Sequence, residues 1–82
     1  MNALVVTVYT KPACPACDAT KRRLKKLGIE FHEAQILDGE YAEALAELGI
    51  TQAPVVCASV DGDEQTWGGY RPDRIDALAG AR

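Results

Sequence analysis

Two cysteines three positions apart, Cys14 and Cys17, with Pro15 and Ala16 between them, are the residues of this chain whose types and spacing can do chemistry. A pair this close can pass between dithiol and disulfide. The thiolate is the reactive form, and unpaired backbone N–H groups at a helix N-terminus favour it by about 0.3–2 kcal/mol. Cys14 stands where the pattern starts a helix, and Cys17 lies one turn deeper on the same face. Cys14 is therefore expected to ionise first and attack, while Cys17 keeps its proton longer and resolves. Lys11, and with it Lys21, adds positive charge nearby. Pro15 fixes φ at the helix start and offers no N–H donor between the sulfurs.

Two other uses of the pair need weighing. A purely structural disulfide across a four-residue loop restricts the unfolded chain by only about 2 kcal/mol, against ~3 for a loop of 15 residues, and is a poor staple. A zinc-binding module, the alternative of a different class, would gather Cys14, Cys17, His32 and Cys57. Structural zinc normally draws on two close ligand pairs, whereas His32 and Cys57 stand alone in apparent strands. His32 reads as a strand residue, and Cys57, in the most apolar strand, as an inert buried thiol. No metal is expected, and no cofactor beyond the redox-active pair itself.

The elements that must hold the pair follow from the hydrophobic pattern. Leu4 to Tyr9 is a β-branched and apolar run ending before Lys11-Pro12, which predicts a strand buried on both faces. From Cys14 to Leu27, Cys17, Thr20, Leu24 and Leu27 recur at helical spacing, with Gly28 as the stop. Ile29 to Ile36 alternates loosely and predicts a second strand. Asp38 is placed to cap a helix with Ala42, Leu45, Ala46 and Leu48 on one face, stopping at Gly49. Val55 to Val60, the turn Asp61-Gly62-Asp63 and a strand reaching Trp67 predict an antiparallel hairpin. A last helix starts near Pro72 and turns Ile75, Leu78 and Ala79 inward. The order is βαβαββα, a strand–CxxC–helix context in which such a pair reads as a thiol–disulfide redox centre.

Composition agrees. With 82 residues, 48% apolar and 26% charged, the chain predicts a single folded domain over residues 1–82. A net charge of −3 argues against a nucleic-acid binder, which relies on Lys and Arg to neutralise phosphates. The charge is unevenly spread. Residues 11–26 hold Lys11, Lys21, Arg22, Arg23, Lys25 and Lys26 against Asp18 alone, whereas residues 30–64 are acidic and hold no Lys or Arg. No apolar stretch approaches the ~20 residues that span a bilayer, and Met1-Asn2-Ala3 carries no basic region before its apolar run. Three cysteines, an odd number, suit a reducing cytoplasm better than a disulfide-stapled secreted framework.

Three segments then resemble a known family. Val8 to Cys17 with its Cys14-Pro15-Ala16-Cys17, Gln52-Ala53-Pro54-Val55-Val56, and Trp67-Gly68-Gly69-Tyr70-Arg71-Pro72-Asp73-Arg74-Ile75 are similar to the NrdH-redoxins, small glutaredoxin-like proteins of the thioredoxin superfamily. The resemblance covers most of the chain in register. It implies a thioredoxin fold of α/β class, with a four-stranded mixed sheet flanked by helices on both faces. It further implies a dithiol–disulfide electron carrier that donates to the large subunit of class Ib ribonucleotide reductase and is re-reduced by thioredoxin reductase, working as a monomer in the cytoplasm. By the same resemblance Ala53-Pro54 is a cis bond facing the cysteines, where the Ala53 backbone can pair with an extended substrate segment. Lys11, Pro15, Ala16, Gln52, Ala53, Pro54, Trp67, Gly68, Gly69, Tyr70 and Arg71 then become partner-binding candidates. Trp67 and Tyr70 would shape the partner surface, or else serve as core or capping aromatics. Two features point instead to a glutathione-dependent glutaredoxin: Pro15 in the second motif position, and Gly68-Gly69, similar to the glycine pair that holds glutathione's carboxylate. Against that reading, Gln52-Ala53-Pro54 stands where those enzymes have Thr-Val-Pro, and Pro72 removes an N–H where the carboxylate would need donors.

Overall fold

In the computed structural model, which describes residues 4–35, 47, 49 and 52–81, the chain runs β1 (Leu4–Thr10), α1 (Pro15–Lys26), β2 (His32–Gln35), β3 (Val55–Val60), β4 (Asp63–Gly68) and α2 (Pro72–Ala81). The strands form one mixed sheet in the order β2-β1-β3-β4. β1 pairs parallel with β2, Thr7 opposite His32, and antiparallel with β3, Val8 opposite Val56. A parallel pair needs a crossover, and α1 supplies it. β3 and β4 are joined by Asp61-Gly62, both at positive φ (51° and 91°), the two-residue turn that the Asp-Gly step predicts.

Val6, Val8, Val56, Ala58 and Trp67 on one face of the sheet pack with Leu24 of α1, Ile75 and Leu78 of α2, and Ile29. Both described helices thus cover the same face, and Arg23 of α1 donates to Asp76 of α2 where they meet at the surface. The helix expected from Asp38 to Leu48 falls outside the described residues except at Glu47, which is helical; Gly49, its expected stop, has φ +74°. Among the described residues no helix is long and apolar enough to cross a membrane.

Three expectations are corrected. β1 is not buried on both faces: its side chains alternate, with Val6, Val8 and Thr10 buried on the face that the two described helices pack against, Thr7 and Tyr9 half-buried and Val5 54% exposed on the other. Ile29 does not open the second strand. Its N–H bonds Leu24 O (2.9 Å) and that of Gly28 bonds Lys25 O (3.1 Å), a helix-ending pair in which Ile29 folds back onto Leu24, so β2 starts at His32. Cys57 is half-buried rather than sealed in the core, on the sheet face turned away from α1, where Thr66 Oγ1 lies 3.8 Å from its Sγ.

Candidate active site

The sheet register places the site. Tyr9, Val55 and Gly68 lie in one row across β1, β3 and β4, so the Lys11–Cys14 loop, Pro54 and Gly69 all leave the sheet at the same end. The α1 helix starts there too. Lys11 is exposed, and the chain turns through Ala13 at φ +54°, a left-handed conformation that is uncommon outside glycine, to deliver Cys14 as the N-cap residue of α1.

Cys14 and Cys17 are joined as a disulfide with their Cα atoms 5.2 Å apart. The Cys17 N–H donates to Cys14 Sγ at 3.0 Å, and the Asp18 N–H donates to Cys14 O at 3.1 Å. The oxidised Sγ stands where the Cys14 thiolate sits in the dithiol, so the same amide, with the helix dipole behind it, is placed to favour the charged sulfur. Cys14 is 8% exposed and Cys17 2%, which leaves Cys14 as the sulfur nearer solvent. Pro15 is exposed and Ala16 half-buried beside it. Lys21 does not reinforce the site as expected. Its Nζ lies 3.1 Å from Glu33 and 3.8 Å from Asp18, so two carboxylates take its charge. Glu33 also accepts from Thr10 Oγ1 (3.1 Å), and the Lys21 and Thr10 hydrogen bonds hold its carboxyl below the usual range. This link between β1, β2 and α1 had no sequence signal, since its members are 11, 12 and 23 positions apart.

The second segment converges with the third. Ala53-Pro54 is cis, Pro54 is buried, and Pro54 O accepts from Gly69 N–H at 2.9 Å. The backbone groups of Ala53 make no hydrogen bond among the described residues. Gly69 has φ +80°, a left-handed conformation that favours glycine, and the mobile end of the Gln52 side chain (Oε1) lies where a methyl group would point. Gly68 is half-buried at the end of β4. Tyr70 is 39% exposed. Arg71 is exposed and clamps Asp73 through hydrogen bonds of 3.2 and 3.0 Å. Trp67 belongs to the core and not to a partner surface: it is 4% exposed, packed among Val56 and Ile75, with the Arg74 guanidinium 4.8 Å over its ring. Among the described residues no three His, Cys, Asp or Glu side chains converge as metal ligands. His32 is exposed on β2.

The chain matches the family model described as Glutaredoxin over residues 6–63. The chain belongs to the glutaredoxin family, in its NrdH-redoxin branch. The glutaredoxin-like protein NrdH of Escherichia coli K12 is 39% identical over 74 residues, covering 89% of this chain and 86% of that protein. NrdH of Lactococcus lactis subsp. cremoris is 34% identical, covering 92% of this chain and all of the relative. Among solved structures, the glutaredoxin-like NrdH-redoxin of Escherichia coli superposes with a TM-score of 0.75 at 40% identity, over 90% of this chain and 93% of that one. The fold is thioredoxin-like, and the glutaredoxin-family CxxC pair makes the protein a thiol–disulfide oxidoreductase.

Proposed function

We propose that this glutaredoxin-family protein carries electrons from thioredoxin reductase to the large subunit of a class Ib ribonucleotide reductase in the cytoplasm, supporting deoxyribonucleotide synthesis. The NrdH relatives support the acceptor, and the thioredoxin-like activity profile described for the Escherichia coli NrdH-redoxin supports the donor. One observation carries the choice against glutathione: the groups that would hold its carboxylates are already engaged or missing. The Gly69 N–H is given to Pro54 O, the Arg71 guanidinium to Asp73, and Pro72 has no N–H.

The Cys14 thiolate attacks one sulfur of the acceptor's disulfide. That S–S bond breaks, a mixed disulfide with Cys14 forms, and the other acceptor sulfur leaves and takes a proton. Cys17 then loses its proton and attacks Cys14 Sγ, releasing the second acceptor thiol and closing the Cys14–Cys17 bond. Two electrons and two protons pass to the acceptor. Ala53, whose backbone groups make no hydrogen bond among the described residues, lies next to the cis bond and is placed to align the acceptor as an added strand.

The test offers oxidised protein to NADPH with thioredoxin reductase, and separately to glutathione with NADPH and glutathione reductase. Turnover is expected in the first mixture, and addition of class Ib ribonucleotide reductase should then couple NADPH loss to deoxyribonucleotide formation. Reduction by glutathione alone would assign the protein to the glutathione-dependent glutaredoxins.

A further inference from the structure

The basic run of the sequence divides, in the structure, into charges held in close ion pairs and charges that are not. On α1, Lys21 is held by Glu33 and Asp18, and Arg23 is held by Asp76 at 2.9 and 2.7 Å. Arg22, Lys25 and Lys26 are exposed and form no ion pair with any described residue. At ~100° per residue, Pro15, Ala19, Arg22 and Lys26 fall in one row, opposite the buried row of Cys17, Thr20 and Leu24. Ala19, Arg22, Arg23, Lys26 and Tyr70 line a shallow groove of about 250 Å³ beside that row. At 1.5 Å rise per residue, the row runs from Pro15, next to Cys14, to Lys26 about 16 Å away.

We propose that this groove docks an acidic segment of the protein whose disulfide the Cys14–Cys17 pair reduces: a stretch carrying Asp or Glu close to its cysteines. The inference rests on the disulfide-reductase reading and names the chemistry of the partner. Charge complementarity selects the occupant. The molecule as a whole carries −3, and the stripe that leads to Cys14 gathers exposed positive charge on it, so that stripe is where an acidic partner is drawn. Such a field sets orientation and encounter rate more than lasting affinity, as suits a carrier that must release its partner. Tyr70, half out of the surface at the groove's edge, gives an apolar side chain of the same segment a face to lie against.

The test uses two fluorescein-labelled, cysteine-free peptides that differ only in Glu against Gln, titrated by anisotropy against oxidised protein. The Glu peptide is expected to bind about fivefold more tightly at low salt, with the difference lost at about 0.3 M salt and in the Arg22→Gln/Lys26→Gln double variant. Equal binding of the two peptides, or a preference that survives in the double variant, overturns the proposal. So does a dimer of the wild-type protein that the double variant abolishes without any peptide preference, because the stripe then serves a second copy of this chain. Disulfide-containing versions of both peptides separate this reading from the one beneath it. If the Glu peptide binds through Arg22 and Lys26 but neither disulfide is reduced, the reductase reading fails. If both disulfides are reduced at equal rates and the Glu peptide shows no preference, the docking surface fails alone.

Discussion

The Cys17 amide that points at Cys14 Sγ from 3.0 Å makes the two sulfurs chemically unequal, and mutagenesis can read that inequality directly. With Cys14 replaced by Ser, no nucleophile faces the acceptor, and disulfide reduction is expected to fall by at least a thousandfold, to background. Cys17→Ser leaves the attacking sulfur in place and removes only the resolving one, so it should accumulate a mixed disulfide with the acceptor, visible as a covalent adduct by mass spectrometry. Full turnover by the Cys14 variant would reverse the assignment. This much was legible in the sequence, because three-residue spacing at a helix start is a local property. Trp67 was not. An aromatic residue before a Gly-Gly step fits a core or a surface equally well, and what decides is Arg74, Ile75 and Val56, brought to it from other elements. The sequence marks Gly69 only as half of a glycine pair, whereas the structure holds it at φ +80° with its N–H given to Pro54 O.

At the scale of elements, α1 holds its position through a narrow buried row, and Leu24 is the largest member of it. Leu24 is fully buried among Val6, Val8 and Ile75 and also receives Ile29 where the helix ends. Truncation removes the three carbons beyond Cβ from a site tied on two sides by backbone hydrogen bonds, so the cavity can close only in part. Leu24→Ala should cost about 2–5 kcal/mol by urea unfolding. The exposed neighbour change Lys25→Ala should stay within about 0.5 kcal/mol. A Leu24→Ala cost below that of Lys25→Ala would mean that α1 is held by its surface pairs instead. The 3.6-residue pattern made this helix and its Gly28 stop readable in advance, and the Asp-Gly step did the same for the β3–β4 hairpin. The number of covered faces of β1 is not legible in its sequence, since a continuous apolar run looks the same whether one face or two is buried. Nor is the start of β2, because Ile29 is apolar for the sake of the helix end, not for the sheet.

At the scale of the molecule, three carboxylates among the described residues join segments distant in the chain or brace a helix start, and all three are held below their ordinary range. Glu33 is lowered by its hydrogen bonds to Lys21 and Thr10, Asp76 by its hydrogen bond to Arg23, and Asp73 by its hydrogen bond to Arg71. A lowered folded-state value means that, through the range just below the ordinary carboxylate values, the unfolded chain binds more protons than the native one. Stability is therefore fully present above that range and lost as pH falls through it. The melting temperature should be nearly flat between about pH 6 and 8 and decline below about pH 4. Each pair is solvent-exposed, so each contributes little alone and the decline is a sum. Replacing Glu33 by Gln and Asp76 by Asn removes two of the three proton-binding sites. The double variant should melt lower than the parent at pH 7, with a shallower fall on the acid side and the two curves converging. If the variant loses stability in parallel with the parent down to pH 3, the acid sensitivity lies in other carboxylates and these links between β1, β2, α1 and α2 do not govern it.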